Sequence, residues 1–242
     1  MHLRVSNHQT MASRRGRASR ASGLGRSLAV GLVIGLVAAV AAPAWAGWEE
    51  EKAEDGITVS SREVSGSDLK EFKGLVYMDT TIQSLVALMN DTEAATKWLH
   101  DCKEAKVAKD ISTAERVTYT VVNAPWPLDD RDMYVHSKIS YDRAKEQISI
   151  KLTGKEGFAP KKDGKVRVRS IRGWWVFTQT KSGKVRVVYQ IYSDAQAPSD
   201  SAANGAMEDA VFESLKNMRR LVQKAPYKGY KFPDEMIKAI EK

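Results

Sequence analysis

A single cysteine, Cys102, stands among 242 residues. One thiol cannot close an internal disulfide, so an oxidising compartment adds no crosslink and the fold has to be held by packing. Histidine is scarce as well: four in all, two of which, His2 and His8, fall within the first 46 residues. The chain contains no H-E-x-x-H, no C-x-x-C and no spaced carboxylate–histidine set, so the residue types that hold a catalytic metal are missing, and no metal or cofactor is expected. A G-x-S-x-G nucleophile elbow and a phosphate-cradling glycine loop are missing too. No internal repeat, low-complexity tract or linker divides the chain. Two small clusters remain. Cys102 beside His100 could form a nucleophile pair, but a lone cysteine after a helix is ordinarily packing. Asp129, Asp130 and Asp132 are what a polar turn before a strand also gives.

Acidic residues are absent from residues 1–46, which instead carry six arginines: Arg4, Arg14, Arg15, Arg17, Arg20 and Arg26. An uncharged, mostly apolar run from Leu28 to Ala42 follows, and then Pro43-Ala44-Trp45-Ala46-Gly47, an A-x-A cleavage pattern. A basic opening, a short apolar run and small residues at the end describe a secretory signal peptide cleaved after Ala46. The alternative is an uncleaved anchor, because the uncharged stretch from Leu28 to Trp48 is about the ~20 residues a membrane helix needs. The formal net charge is +8. Six of those charges belong to the leader, which leaves about +2 on the mature chain, so the high isoelectric point is a targeting property and no nucleic-acid partner is implied. The expected location is the periplasm. The mature chain, near 196 residues, suits one domain with a sizeable core.

The mature chain reads first as a short charged opening, Trp48 to Glu54, with a turn or two of helix. After the Asp55-Gly56 turn come two strands, at Ile57–Ser60 and Leu69–Asp79, the second with Phe72, Gly74, Val76 and Met78 on one side. Thr80 or Thr81 caps a helix in which Ile82, Leu85, Val86 and Met89 recur at helical spacing, and a short second helix ends near Trp98-Leu99. Beyond Cys102 the pattern turns to strands: Lys103–Lys109, Arg116–Val122, Arg131–Tyr141, Gln147–Thr153, Val166–Ser170, Gly173–Gln179 and Lys184–Ser193. Strands joined by short turns imply a curved antiparallel sheet. A helix from about Asn204 to Gln223, roughly 30 Å long, carries Met207, Val211, Leu215, Met218 and Val222 as its apolar stripe. The fold class is α+β, a helix-grip arrangement of curved sheet around a long carboxy-terminal helix. The domain is placed at residues 47–225, with 226–242 as a tail.

From Trp48 to about Val222 the chain resembles the START (steroidogenic acute regulatory protein-related lipid transfer) domain family, as an exported bacterial member. The resemblance is carried by Asp55-Gly56-Ile57-Thr58-Val59, Leu69-Lys70-Glu71-Phe72-Lys73-Gly74, Asn90-Asp91 with Lys97-Trp98, and Phe212 to Arg219. Its most specific element is Pro125-Trp126-Pro127-Leu128-Asp129-Asp130-Arg131-Asp132, a PWP-x-x-x-RD pattern entering a strand. The resemblance implies an internal hydrophobic cavity between sheet and final helix that holds one lipid or sterol. Two departures stand out. The family's Gly-Gly-x-Ile-Pro-x-Trp-Leu-x-Asn run corresponds to Ala195–Asn204, which keeps Pro198 and Asn204 but has Ser, Asp and Ala at the bulky positions. The strand after the RD pair, Met133-Tyr134-Val135-His136-Ser137, lacks the second basic residue of some sterol-binding members.

A lipid cavity needs apolar walls and one or two polar groups to orient a head group. The candidate ligand-binding residues are Arg131, Trp174, Tyr189, Met207, Val211 and Leu215. Arg131, at the start of a strand, either reaches the ligand or makes a structural bridge or turn contact; Asp132, next to it, points to the other face. The two rings of Trp174-Trp175 face opposite ways. The expected activity is binding and carriage of a hydrophobic molecule by a monomer, with transient membrane contact, for which the basic loop Lys161–Lys165 is one candidate. Two alternatives are a cyclase- or hydrolase-like enzyme on the same scaffold and an interaction module whose interior is filled by its own side chains.

Overall fold

The computed structural model describes residues 47–241; the leader read at residues 1–46 lies outside the described residues. Ten strands form one sheet: β1 (Glu49–Glu54), β2 (Ile57–Val64), β3 (Ser67–Met78), β4 (Cys102–Ser112), β5 (Glu115–Val122), β6 (Asp130–Asp142), β7 (Gln147–Gly154), β8 (Lys165–Arg167), β9 (Ser170–Gln179) and β10 (Val185–Asp194). Their order is β1-β2-β3-β10-β9-β7-β6-β5-β4, with the short β8 alongside β6. Every pairing is antiparallel except that of β8 with β6. Four helices accompany the sheet: α1 (Ile82–Asn90), α2 (Ala95–Trp98), α3 (Asp200–Leu221) and α4 (Asp234–Ile240). Among the described residues no helix is long and apolar enough to cross a membrane.

Local chemistry explains the main elements. From Phe72 to the end of β3 the alternate positions are apolar around Gly74, so Phe72, Val76 and Met78 are buried on the inner face while Tyr77 is exposed on the other. Asp55 and Gly56 both take positive φ, 53° and 70°, as a tight hairpin turn requires. The opening segment is therefore strand β1 and not helix: the turn delivers it antiparallel onto β2, and pairing overrides the helical preference of its glutamates. Thr81 caps α1, its Oγ1 accepting from the Ser84 N–H at 3.1 Å. Ser199 does the same for α3, accepting from Ala202, with Asp200 in the first turn and Arg219 and Arg220 in the last, each sign matched to its helix end. That cap starts α3 four residues earlier than the apolar spacing shows, because its first turns carry small residues instead of a stripe.

The sheet curves around α3, which lies against β3, β2 and β10. The closest approach is at Gly74: a Cβ there would stand 2.3 Å from Leu215 Cδ1 and 2.6 Å from Val211 Cγ1. Asn204 pins the other half of the helix, accepting from the Lys70 N–H at 2.9 Å and donating to the Asp68 carbonyl at 3.2 Å. The strand expected at Val166–Ser170 is broken: only Lys165–Arg167 pairs with β6, and Ser170 opens β9. The segment expected as a tail is ordered into α4, with Ile240 buried and Tyr227 donating to Asp91 at 2.6 Å.

Candidate functional site

Between the inner face of the sheet and the first half of α3 lies a cavity of about 400 Å³, within the roughly 300–1,000 Å³ typical of small-molecule sites. Strand parity builds its walls. β6 contributes Arg131, Met133, Val135, Ser137 and Ile139, every second residue along the strand. Ile150 and Leu152 come from β7, Ile171 and Trp175 from β9, and Tyr189 and Ile191 from β10. The roof is α3, which presents Ala202, Ala203, Ala206, Met207 and Ala210. No aspartate, glutamate or lysine is among the lining residues. At one end the lining reaches exposed residues of the β5–β6 loop, Asn123, Pro125 and Leu128, opposite Ala202. At the other end it reaches Asn90 and Thr113, where Arg116 bridges β5 to α1 by donating to the Asn90 carbonyl and to its Oδ1.

Arg131 is buried at the first of these ends. Its Nη1 donates to the Asp129 carbonyl at 2.7 Å, and its Nε and Nη2 donate to the carbonyls of Ala195 and Gln196, both at 3.2 Å. Three of its five N–H groups thus fasten the β5–β6 loop to the segment before α3, and two have no partner among the described residues. Among the described residues no carboxylate pairs with it. Asp132 faces the other way, onto Arg167, in a bidentate pair at 2.8 and 3.0 Å. Arg167 completes its donor set on the carbonyls of Glu156, Ala159 and Pro160. The pair closes the segment after β7 over a second small core of Val117, Tyr119, Val121 and Tyr134. The adjacent Arg and Asp of the motif therefore serve opposite faces of the sheet.

At the far end of the cavity three aromatic rings meet. Trp175 stacks on Tyr189, its partner across the strands, at 3.9 Å and 6°, and Trp98 from α2 meets Trp175 edge-on at 5.9 Å. Burial pushes the Tyr189 phenol above its ordinary value, which keeps it a protonated donor across the neutral range.

Of the six candidate residues, Arg131, Tyr189 and Met207 line the cavity together. Trp174 does not: it lies on the outer face, 41% exposed, with Lys151 Nζ 5.4 Å from its ring, and Trp175 takes the inner position. Ile171 and Phe177, both apolar and both of the same parity as Trp175, carry the signal for that choice. Val211 and Leu215 are fully buried but stand outside the lining, because Gly74 lets the helix close completely there. Residues without a signal in the apolar pattern are the alanines of α3, which leave the cavity open by being small. In the basic loop Lys161–Lys165, Lys162 Nζ stands 3.7 Å over the Tyr119 ring. The exposed group near the cavity is Trp126, 92% exposed, in the loop whose Pro125 and Leu128 line the rim.

Comparison with known proteins agrees with this architecture. The START domain family model matches residues 36–228. A Pseudomonas aeruginosa protein described as uncharacterized is 28% identical over 179 residues, 73% of this chain and 87% of its own length. The crystal structure of the STAR-related lipid transfer protein (fragment 25–204) from Xanthomonas axonopodis has a TM-score of 0.68 at 26% identity, covering 74% of this chain and 99% of that one. Human StAR-related lipid transfer protein 5 shares the fold, with a TM-score of 0.66 at 16% identity over 74% of this chain and 87% of its own.

Proposed function

We propose, from the premise that the chain belongs to the START domain family, that it binds one elongated hydrophobic molecule in this cavity and carries it between membranes as a monomer. The observation that carries the reading is the cavity itself: apolar walls from six strands and three helices, no lining carboxylate, and at one end the buried Arg131 with two unused N–H groups. Each methylene buried there contributes roughly 0.8 kcal/mol, so a long chain is held without a specific contact. The unused N–H groups of Arg131 supply the orienting contact for an oxygen-bearing head group. The likeness to the STAR-related lipid transfer protein of Xanthomonas axonopodis supports the same reading.

Carriage is favoured over catalysis because proton transfer needs a group poised near neutral pH inside the site. The lining offers no carboxylate, its one histidine, His100, is partly exposed and turned onto Asp101 at 3.4 Å, and the Tyr189 phenol is shifted away from neutrality. Export and residence in the periplasm are part of this proposal and rest on the acid-free basic leader and the A-x-A pattern ending at Ala46. Membrane contact is assigned to Trp126, whose indole stands free in water beside the cavity rim, an arrangement that suits the interface between head groups and chains.

The test is uptake of a pyrene-labelled fatty acid from vesicles by the purified protein. Wild type is expected to approach one label per chain. Ala210→Trp, which fills the roof of the cavity, is expected to lose at least about tenfold in uptake with its melting temperature kept. No uptake by wild type, or equal uptake by a folded Ala210→Trp, overturns the reading.

A further inference from the structure

The cavity carries polar groups at both ends, Arg131 at one and Tyr189 at the other. Strand register places Tyr189 in one row with Trp175, Ile150 and Ile139, whereas Arg131 lies eight residues before Ile139 on the same strand. At about 3.3 Å per residue the two ends are on the order of 20–26 Å apart along β6. Tyr189 is nine-tenths buried, lines the cavity, and its hydroxyl makes no hydrogen bond to any described residue. In the same aromatic cluster the Trp98 Nε1, also buried, has no hydrogen-bond partner among the described residues. Buried polar groups are ordinarily paired, and leaving one unmet is costly. Between the two ends, Thr118 and Thr120, level with Val135 and Met133, and Ser137 line the cavity with hydroxyls that bond to no described residue. A plain acyl chain satisfies none of these groups.

We infer that the ligand is polar at both ends: an oxygen-bearing head at Arg131, a mainly hydrocarbon middle that passes the Thr118, Thr120 and Ser137 hydroxyls, and a hydroxyl or ketone oxygen that accepts a hydrogen bond from Tyr189. Tyr189 then sets specificity for oxygenated over plain hydrophobic chains. This inference rests on the carrier reading and adds the class of ligand to it. Discrimination arises because a site built around a donor rejects a ligand that leaves that donor unmet.

The test compares palmitic acid with ω-hydroxypalmitic acid, two probes that differ by one terminal hydroxyl, by calorimetric titration of wild type and Tyr189→Phe. Wild type is expected to bind the hydroxy acid roughly three- to tenfold more tightly, the scale of one neutral buried hydrogen bond. Tyr189→Phe keeps the ring and its stacking, and is expected to bind both acids alike, with palmitic acid held at least as well as by wild type. Equal affinities in wild type, or a hydroxyl preference that survives in Tyr189→Phe, overturn the assignment of Tyr189 while palmitic acid binding still supports carriage. Failure of both acids to bind overturns the carrier reading and this inference together.

Discussion

Asp132→Ala is expected to cost about 3–5 kcal/mol of stability, the range for removing one partner of a buried ion pair. The structure supplies the reason. Both side chains are 1% exposed, and Asp132 receives two of the five N–H groups of Arg167. The other three are held by carbonyls at 2.8, 3.0 and 3.1 Å, so the guanidinium cannot turn out to water without breaking the closure of the segment after β7. Those carbonyls soften the loss and favour the lower half of the range. For a domain of this size each kcal/mol moves the melting temperature by about 2–4 °C, which gives a fall of roughly 6–20 °C. Urea unfolding and calorimetry of Asp132→Ala, Arg167→Met and the double variant Asp132→Leu/Arg167→Met measure it. Each single variant strands a buried charge and the double variant strands none, so the double variant is expected to be more stable than either. A single-variant loss below about 1 kcal/mol, or additive losses in the double variant, would refute the reasoning.

On the outer face, Lys73 lies 4.0 Å from the Trp48 ring, and burial, then the nearby Arg62 and Arg186, pushes its pKa down to about 8 against the opposing pull of Glu71. Between about 8 and the ordinary lysine value of 10.5 the unfolded chain binds the extra proton, so stability rises with pH through that window. Urea midpoints at about pH 7 and about pH 9.5 are expected to show that rise in wild type and to lack its Lys73 share in Lys73→Met; identical slopes would refute the shift. Trp126→Ala is expected to leave the melting temperature unchanged, since the indole is exposed, while vesicle association falls; unchanged association would remove Trp126 from the membrane contact.

Much of the fold was legible because alternation is a local property. Phe72, Val76 and Met78 reveal the inner face of β3, and the PWP-x-x-x-RD run marks the start of β6. Less of the site was legible. Whether Trp174 or Trp175 faces inward is decided by register against Tyr189, a partner on another strand. Val211 and Leu215 carry the periodicity of a helix core, but only the approach to Gly74, more than 130 residues earlier in the chain, shows that no space remains beside them. The alanines of α3 have no apolar signal at all, since what they contribute is room. Arg167 sits in a segment that reads as one more strand, and its pairing with Asp132 depends on the parallel contact of β8 with β6. The opening β1 is not legible as a strand, because its charged residues favour a helix until the Asp55-Gly56 turn returns them to β2.

Native mass spectrometry of the protein purified from its own host, followed by extraction of what travels with it, tests the central claim most directly. The account predicts one hydrophobic molecule per chain, displaced by a labelled analogue and lost in Ala210→Trp. An empty wild-type protein that also takes up nothing from vesicles would contradict it.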